Sequence, residues 1–439
     1  MTKSVRALGL FSVLCIGVNA IIGSGIYRLP GRLAHHLGGA SWIAFGLVGL
    51  LLITVGLCFA EAGGMFSASG GPYVYTREAF GRVPAFIVGW MAWVTMIVSW
   101  AAVANAVTGY VGELVSWAAA PLTKRVIVGA MIVLPGALNY FGVKPGAYAN
   151  NIFTVAKILP LAAFVILGLP HVSWDHVALA PPPSDEGTFA PLGLALFAAL
   201  FAVQGFEVAP IPAGETNNPR RNVPIAVIGS LVGCSIFYVL IQIVAYAAQP
   251  AIASSGTGEH AWSERPLADA ARTFLGGGGA SLMAVGAGIS MMGFCLGSAL
   301  ASPRFLAVLA NDRLFPVWLA ASHPRFASPH RAIVATSLAT LIASQLLDFD
   351  GLADIANVAV TLQYIGTCAA ITWLRLRKPE HPRSYRVPLG AFVVPVLGVG
   401  VCALFLSQAS LRDVAASVVV LVIGGVLAGA HMLFTRKPA

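Results

Sequence analysis

The chain has 439 residues, of which 58% are hydrophobic and only 10% are charged. Soluble globular domains carry about a quarter charged residues, so this composition excludes a soluble globular protein and predicts one whose solvent is the lipid bilayer. The formal net charge is +9, but the basic residues are spread over many loops instead of gathering on one face, which argues against nucleic acid as a partner.

Apolar runs long enough to cross a bilayer recur along the whole chain. A membrane-crossing helix needs about 20 mostly apolar residues. Twelve such runs are predicted, at residues 10–34, 41–66, 84–114, 124–141, 148–170, 188–213, 223–249, 279–310, 331–347, 354–376, 387–408 and 413–434. The connections between them are too short to hold a separate soluble domain, so we expect one transmembrane domain over residues 1–439.

The distribution of basic residues predicts how the chain is oriented. Most of the 26 lysines and arginines fall in loops on the side of the N-terminus when the runs are taken as alternating crossings. Because cytoplasmic loops carry the excess of lysine and arginine, both termini are expected in the cytoplasm and the protein in the inner cell membrane. The first run is expected to remain as a span, since glycines interrupt it where a cleavable signal would end at a small-residue site.

Two of the apolar runs are interrupted near their middle. In the first, Gly23 and Gly25 flank Ser24, and each glycine weakens a helix by about 1 kcal/mol. In the sixth, Gly205 and Glu207 are followed by two prolines, which do not support helical hydrogen bonding. Unpaired backbone groups in hydrocarbon are tolerated only where they face a protein-lined cavity or a ligand, so each break is a candidate binding site. The alternative for the glycines is close helix packing.

The two breaks fall at the same ordinal position in two sets of five runs. This spacing is typical of an inverted-repeat transporter with its site near the midplane of the membrane. We therefore predict an all-α membrane protein with twelve transmembrane helices in a five-plus-five inverted repeat. Repeat one covers about 10–170, repeat two about 188–376, and two peripheral helices lie within about 387–434.

Several longer motifs carry a resemblance to a known family. They are Gly-Gly-Pro-Tyr-Val-Tyr-Thr-Arg-Glu-Ala-Phe-Gly at 70–81, the segment 215–224, the stretch 302–316 and Tyr-Arg-Val-Pro at 385–388. Together with the two glycine breaks, they resemble the amino acid–polyamine–organocation family over essentially the whole chain. The resemblance implies a secondary active transporter that moves amino acids by alternating access. Arg28 and Gln204 depart from the residues usual in the family.

The resemblance also implies a substrate site built mainly from main-chain groups. N–H groups at the first break, with the Ser24 hydroxyl, would hold the substrate carboxylate, and carbonyls at both breaks would accept from its ammonium. The predicted substrate-binding residues are Ile21, Gly23, Ser24, Gly25, Phe201, Ala202, Gln204 and Gly205. Phe201 matches an aromatic gate, with ordinary packing as its alternative, and Glu207 is expected to hydrogen-bond within the protein. The apolar third run favours a neutral cargo.

Lys157 is the only basic residue deep inside a predicted span. It would either extend its amine to an interface or remain buried and exchange a proton while it contacts carbonyls of the first break. In the family resembled, a lysine here takes the place of a sodium ion, and Ser290 is expected to complete that cage. This predicts proton-coupled symport of a neutral amino acid. Amino acid exchange and a cationic amino acid or polyamine carrier are the alternatives.

Other functional classes find little support in the sequence. A membrane enzyme would be expected to show a metalloprotease motif, paired intramembrane aspartates or a nucleophile elbow, and a channel would be expected to show filter repeats; the chain has none of these. Its six cysteines lie singly in apolar runs, so neither a disulfide nor a zinc site is expected, and no cofactor is expected. The expected partners are an amino acid, a proton and the lipid bilayer, and the protein is either a monomer or a homodimer.

Overall fold

The structure is a computed structural model that describes residues 8–66, 70–114, 120–142, 147–180, 189–256, 261–326 and 328–435. Within these ranges the backbone forms α-helices and short 3-10 turns, and no β-strand. A single bridge pairs Leu8 with Thr216, which ties the start of the described chain to the segment after the second break.

The α-helices are numbered here in chain order. They are α1 (Leu10–Ile21), α2 (Gly25–Leu37), α3 (Trp42–Met65), α4 (Pro72–Phe80), α5 (Arg82–Leu114), α6 (Pro121–Tyr140), α7 (Ala147–Gly168), α8 (Phe189–Val203), α9 (Pro219–Ala248), α10 (Pro266–Asn311), α11 (His330–Leu346), α12 (Phe349–Arg377), α13 (Val393–Gln408) and α14 (Leu411–Thr435). Each apolar run found in the sequence corresponds to one of these helices or, for the first run, to the pair α1 and α2.

The helices have the length and composition of membrane spans. In the described part of the chain, 9 helices are long and apolar enough to cross a membrane, and the bent pair α1 and α2 makes a tenth candidate. Helices α11 and α13 are shorter, with 17 and 16 residues. A chain with this many apolar helices is a multi-pass membrane protein.

Three elements differ most from the predicted spans, and α13 also begins at Val393, later than the predicted start at 387. Helix α8 ends at Val203, and the rest of the sixth run forms 3-10 turns at Phe206–Val208 and Ala213–Glu215, because prolines follow the break. Helix α10 begins well before the predicted span, since a preceding segment joins it across a kink at Gly276. Helix α4 is short and lies outside all the predicted spans; it begins with a proline at its first turn, as many helices do.

Helix packing places both broken spans in the interior of the bundle. Helix α3 packs along α9 and α5 packs along α10, while α1 contacts α7 and α9 and α2 contacts α8. Burial follows this arrangement, because most of α5 and α8 is enclosed by protein whereas α14 is largely exposed on its apolar surface. An exposed apolar helix surface of this kind is suited to lipid contact.

Candidate functional site

The first break separates α1 from α2 with a bend of 44°. The backbone leaves the helical region at Ile22, and Ser24 precedes the first residue of α2. The first N–H groups of α2 therefore have no acceptor within their own helix. Ser24 is fully buried, and its hydroxyl has no hydrogen-bond partner in the described part of the protein. A helix N-terminus with a buried, unpaired hydroxyl is suited to hold an anionic group.

The second break is stabilised by a buried carboxylate. Gly205 adopts a φ of 125°. Its N–H donates to Oε2 of Glu207 over 2.8 Å, and the same oxygen accepts from the hydroxyl of Tyr364 over 2.9 Å. Glu207 thus replaces the helical acceptor that the Gly205 N–H loses where α8 ends, which is the internal hydrogen-bonding role expected from the sequence.

The two breaks are in direct contact. A Cβ atom on Gly25 would lie 2.7 Å from the Cα and Cβ of Ala202, and one on Gly205 would lie 2.6 Å from the carbonyl group of Ala20. Only glycine at both positions lets the two backbones approach this closely. The free N–H groups of α2 and the free carbonyls at the end of α8 therefore lie in one small region of the protein.

The predicted acceptors are not equally available. The carbonyl oxygen of Ile21 accepts from the hydroxyl of Tyr238 over 3.1 Å and from the N–H of Gly23 over 2.9 Å, so both of its lone pairs are engaged. The carbonyls of Phe201 and Ala202, in the last turn of α8, have no acceptor role within that helix. Gln204 was predicted to accept through its main-chain carbonyl; in addition, its side-chain oxygen is buried and has no partner in the described ranges.

Phe201 lies beneath a second aromatic ring. It is 6% exposed, and its ring meets that of Phe349 edge to face with the centroids 5.5 Å apart. The guanidinium carbon of Arg28 lies 5.1 Å from the centroid of Phe349. The aromatic position that the sequence indicated as a gate is therefore covered from the side of α2 and α12.

Lys157 and Ser290 converge on the carbonyls of the first break. The amine of Lys157 is fully buried and donates to the carbonyl oxygens of Asn19 over 3.2 Å and Ile22 over 2.6 Å. The hydroxyl of Ser290 lies 3.3 Å from the carbonyl oxygen of Ile22 and 3.2 Å from that of Gly23, so it donates to one of them at a time. The amine points to the break and not to a membrane interface, which contradicts the snorkelling alternative.

Several residues around the breaks were not found from the sequence. Tyr110 donates to the carbonyl oxygen of Tyr27 over 2.5 Å, and the ring of Phe294 lies 3.1 Å from where a Cβ on Gly23 would stand. Tyr238 binds the break as described above. A tyrosine inside an apolar run is the signal that was available, because a buried phenol hydroxyl normally has a hydrogen-bond partner. Nothing in the sequence marks Phe294.

A buried charge cluster fixes the connection between α12 and α13 to α3. Glu61 is fully buried; it pairs with Arg375, lies 3.2 Å from Nε of Arg383, and accepts from the N–H of Val387 over 2.7 Å. Both carboxylate oxygens accept charge-assisted bonds from Arg375, whose Nε donates to Oε1 over 2.9 Å and whose Nη2 donates to Oε2. The sequence placed the Val387 segment in a family motif without revealing its partner on α3.

The apolar helices make this a helical membrane protein, and its two interrupted spans are the candidate site. The chain belongs to the amino acid permease family, whose model matches residues 8–428. This confirms the resemblance to the amino acid–polyamine–organocation group, and it makes the protein a transporter and not an enzyme.

Relatives of known name cover nearly the whole chain. The methylthioribose transporter of Bacillus subtilis is 28% identical over 91% of this chain and 88% of its own length. The branched-chain amino acid permease BcaP of the same organism is 26% identical, with 98% and 93% covered. The serine/threonine exchanger SteT of Bacillus subtilis is 28% identical over 98% of this chain and 97% of its own length.

Proposed function

We propose that this protein is a secondary active transporter that carries a neutral amino acid in symport with a proton, by alternating access. The observation that carries the proposal is the buried amine of Lys157, which donates to the carbonyls of Asn19 and Ile22 at the first break. A cation held at the break of a transport helix ties the state of the ion site to the shape of the substrate site.

The substrate site follows from the unpaired main-chain groups. The N–H groups of Ser24 and Gly25, with the unpaired Ser24 hydroxyl, would bind the carboxylate of the cargo at the N-terminus of α2. Gly23 would shape the break and not bind the carboxylate in this conformation, because its N–H donates to the Ile21 carbonyl. The carbonyls of Phe201 and Ala202 would accept from its ammonium. A zwitterion is then bound without burial of a further ionised side chain, which would be costly at this depth.

Three more residues complete the proposed site. Gly205 lets α8 approach α1, and Gln204 offers its unpaired side-chain oxygen to the ammonium. Because Tyr238 and Gly23 occupy the lone pairs of the Ile21 carbonyl, we propose that Ile21 anchors the break and does not accept from the cargo in this conformation.

The charges around the breaks favour a neutral cargo side chain. Lys157 is engaged with carbonyls of the first break, and Glu207 is engaged with the Gly205 N–H and Tyr364. Neither group is left to pair with a charged side chain of the cargo. On α5, which lines the interior of the bundle, Trp100 and Ala101 are fully buried and apolar.

Coupling is proposed to run through the amine of Lys157. When it is protonated, the ammonium stabilises the partial negative charge at the C-terminus of α1. When it is neutral, that stabilisation weakens and the angle between α1 and α2 is free to change. Ser290 retains one hydrogen bond to the break in either state. Proton binding and helix movement are therefore linked by the same carbonyls.

The wider architecture is also a proposal. We infer twelve crossings in a five-plus-five inverted repeat, with α13 and α14 peripheral. The protein would lie in the inner cell membrane with both termini in the cytoplasm. The contacts of α3 with α9 and of α5 with α10 support the repeat, since they join the second run to the seventh and the third to the eighth. The protein would act as a monomer or a homodimer.

The proposal is tested with purified protein in two stages. A thermal-shift screen against the twenty amino acids, common polyamines and methylthioribose should show stabilisation by neutral amino acids. Uptake of the best ligand into proteoliposomes should then be driven by an inward proton gradient and be indifferent to sodium. Stabilisation only by polyamines or by methylthioribose would overturn the cargo, and sodium-stimulated uptake would overturn the coupling.

Exchange is the second candidate, because the relative SteT is named as a serine/threonine exchanger. Counterflow separates the two functions. A proton symporter accumulates labelled amino acid in liposomes that contain no unlabelled amino acid, whereas an obligatory exchanger takes up label only when unlabelled amino acid is present inside.

A further inference from the structure

Two arginines one helical turn apart on α2 contact α12, and one of them also contacts the segment before α10. Arg32 places Nη1 3.0 Å from Oδ1 of Asp350 and Nη2 3.3 Å from Oδ2 of Asp354. All three side chains are only 13–15% exposed. The two acids lie in the first turns of α12, so Arg32 joins α2 to the start of that helix with two nearly buried ion pairs.

Arg28 makes a different set of contacts from the same face of α2. Its Nη1 lies 3.2 Å from Oε2 of Glu264 and donates to the main-chain oxygen of that residue over 3.1 Å. Its guanidinium carbon lies 5.1 Å from the ring centroid of Phe349, the first residue of α12. A guanidinium over an aromatic face is a favourable cation–π arrangement, and it is strongest where water is excluded, as at this 9% exposed side chain.

These contacts continue to the candidate substrate site. The ring of Phe349, over which Arg28 lies, packs edge to face on Phe201, whose own main-chain carbonyl is one of the two free acceptors at the end of α8. Phe349 and Phe201 therefore form a continuous aromatic contact between Arg28 and the free carbonyls at the end of α8. The ion pairs of Arg32 and the contact of Arg28 with the Phe349 ring join α2 to α12, the helix that carries Phe349.

We propose that Arg28 and Arg32 form an ionic lock that closes the external side of the transporter. In this lock, Arg28 is the positioning residue that holds the ring of Phe349 against that of Phe201, and these two rings are called the lid. The inference rests on the proposed alternating-access function and on its topology, which puts this end of α2 outside the cell. Opening to the outside requires α2 to leave α12, so the lock sets how often the site is exposed there.

The lock is tested by the accessibility of a residue behind the lid. Ser24→Cys places a reporter thiol at a fully buried position of the first break, and the six native cysteines are themselves buried. A charged, membrane-impermeant methanethiosulfonate applied to intact cells should label this reporter thiol slowly in the otherwise unchanged protein. R28Q and R32Q should each raise the labelling rate by about fivefold, the shift expected when a partly buried ion pair is removed from one state of a two-state equilibrium.

A matched control separates the lock from a general loss of charge on this surface. Arg272 is 50% exposed and pairs with Glu113, which joins α10 to α5 and does not involve α2. R272Q should leave the labelling rate of the reporter thiol unchanged. The proposal is overturned if R28Q and R32Q leave the rate unchanged, or if R272Q raises it as much as they do.

Further variants keep the proposal testable if an arginine variant does not reach the membrane. E264Q removes the charge of Glu264 from its ion pair with Arg28. The Glu264 side chain is 38% exposed, so this variant is less disruptive to packing, and it should also speed labelling. R28K retains the charge and should restore most of the slow rate. F349L leaves both ion pairs intact but removes the ring, so it should speed labelling if Arg28 acts through Phe349 and leave it slow if that part of the proposal is wrong.

The outcome is independent of the cargo assignment. Labelling of the reporter thiol requires no transported substrate, so a rate that rises in the lock variants supports the lock even if no amino acid binds the purified protein. Conversely, proton-driven amino acid uptake together with unchanged labelling in R28Q and R32Q would retain the proposed function and reject the lock.

Discussion

The amine of Lys157 lies 2.6 Å from the carbonyl oxygen of Ile22, where α1 has just ended. In an unbroken helix, that oxygen would accept from an N–H four residues further on. The ammonium takes the place of that donor and, at the same time, lies at the negative end of the α1 dipole. A side chain from α7 is therefore part of the hydrogen bonding that makes the break stable inside the membrane.

Replacing Lys157 with methionine should uncouple transport. Methionine has a similar length but no donor, so the carbonyls of Asn19 and Ile22 lose a charged partner. We expect accumulation driven by a proton gradient to fall to the level of empty liposomes, and the free energy of unfolding to drop by about 1–3 kcal/mol. Radiolabelled uptake and thermal melts measure the two effects.

The matched control is Lys378→Met, because Lys378 is 47% exposed and pairs with the equally exposed Glu78. It should leave uptake and melting temperature nearly unchanged. Full proton-driven accumulation in the Lys157 variant would show that its amine has no part in coupling.

Ser290→Ala should weaken coupling less than the lysine variant does. The alanine removes a hydroxyl that donates to the carbonyl of Ile22 or Gly23, while the Lys157 contacts remain. We expect a loss of stability of about 1 kcal/mol and a several-fold higher KM for protons, read from the pH dependence of uptake.

Ser235→Ala serves as the comparison for Ser290, since its buried hydroxyl donates to Leu231 within the same helix. Its proton dependence should equal that of the parent protein. Identical pH profiles for both serine variants and the parent would remove Ser290 from the proposed cage.

Gly205→Ala should disrupt contact between the two breaks. Gly205 has a φ of 125°, and an added Cβ would lie 2.6 Å from the main chain of Ala20, so backbone strain and overpacking act together. We expect the free energy of unfolding to fall by about 2–5 kcal/mol, with loss of ligand-induced stabilisation.

Gly233→Ala on α9 is the control for this substitution, because a Cβ there meets nothing within 4 Å. It should be neutral or slightly stabilising, since alanine favours helix over glycine. A Gly205 variant that melts with the parent protein and still binds ligand would contradict the close approach of the two breaks.

Glu61→Gln should be the most destabilising of the carboxylate substitutions. The change removes the negative charge between Arg375 and Arg383, whose side chains are 12% and 2% exposed. Loss of one partner from a buried ion pair costs about 3–5 kcal/mol, because the remaining charge is left uncompensated.

Glu78→Gln tests an exposed pair with the same chemistry, as Glu78 and Lys378 are 45% and 47% exposed. It should change stability by less than about 1 kcal/mol. Melting curves of the two variants in one detergent decide the point, and equal shifts would mean that burial of Glu61 does not set its contribution.

Individual residues show how far the sequence leads toward the site. Gly23, Gly25 and Gly205 were recognisable because glycine inside an apolar run has a defined effect on a helix. Lys157 was recognisable because a lone cation at this depth requires partners. The identity of these residues does not predict the distances between them. The hydrogen bond from Tyr238 to the Ile21 carbonyl, for example, depends on the packing of α9, which lies about two hundred residues further along the chain.

The sequence by itself determined the all-helical membrane class, the position of the two breaks and the depth of Lys157, because each depends on local composition and on the length of apolar runs. Only the tertiary structure decided that the breaks touch at Gly25 and Gly205 and that Lys157 and Ser290 share the Ile22 carbonyl. It also decided that Arg28 and Arg32 contact the start of α12. Such contacts join residues far apart in the chain, and the packing of whole helices sets their geometry. Local pattern does not encode that packing.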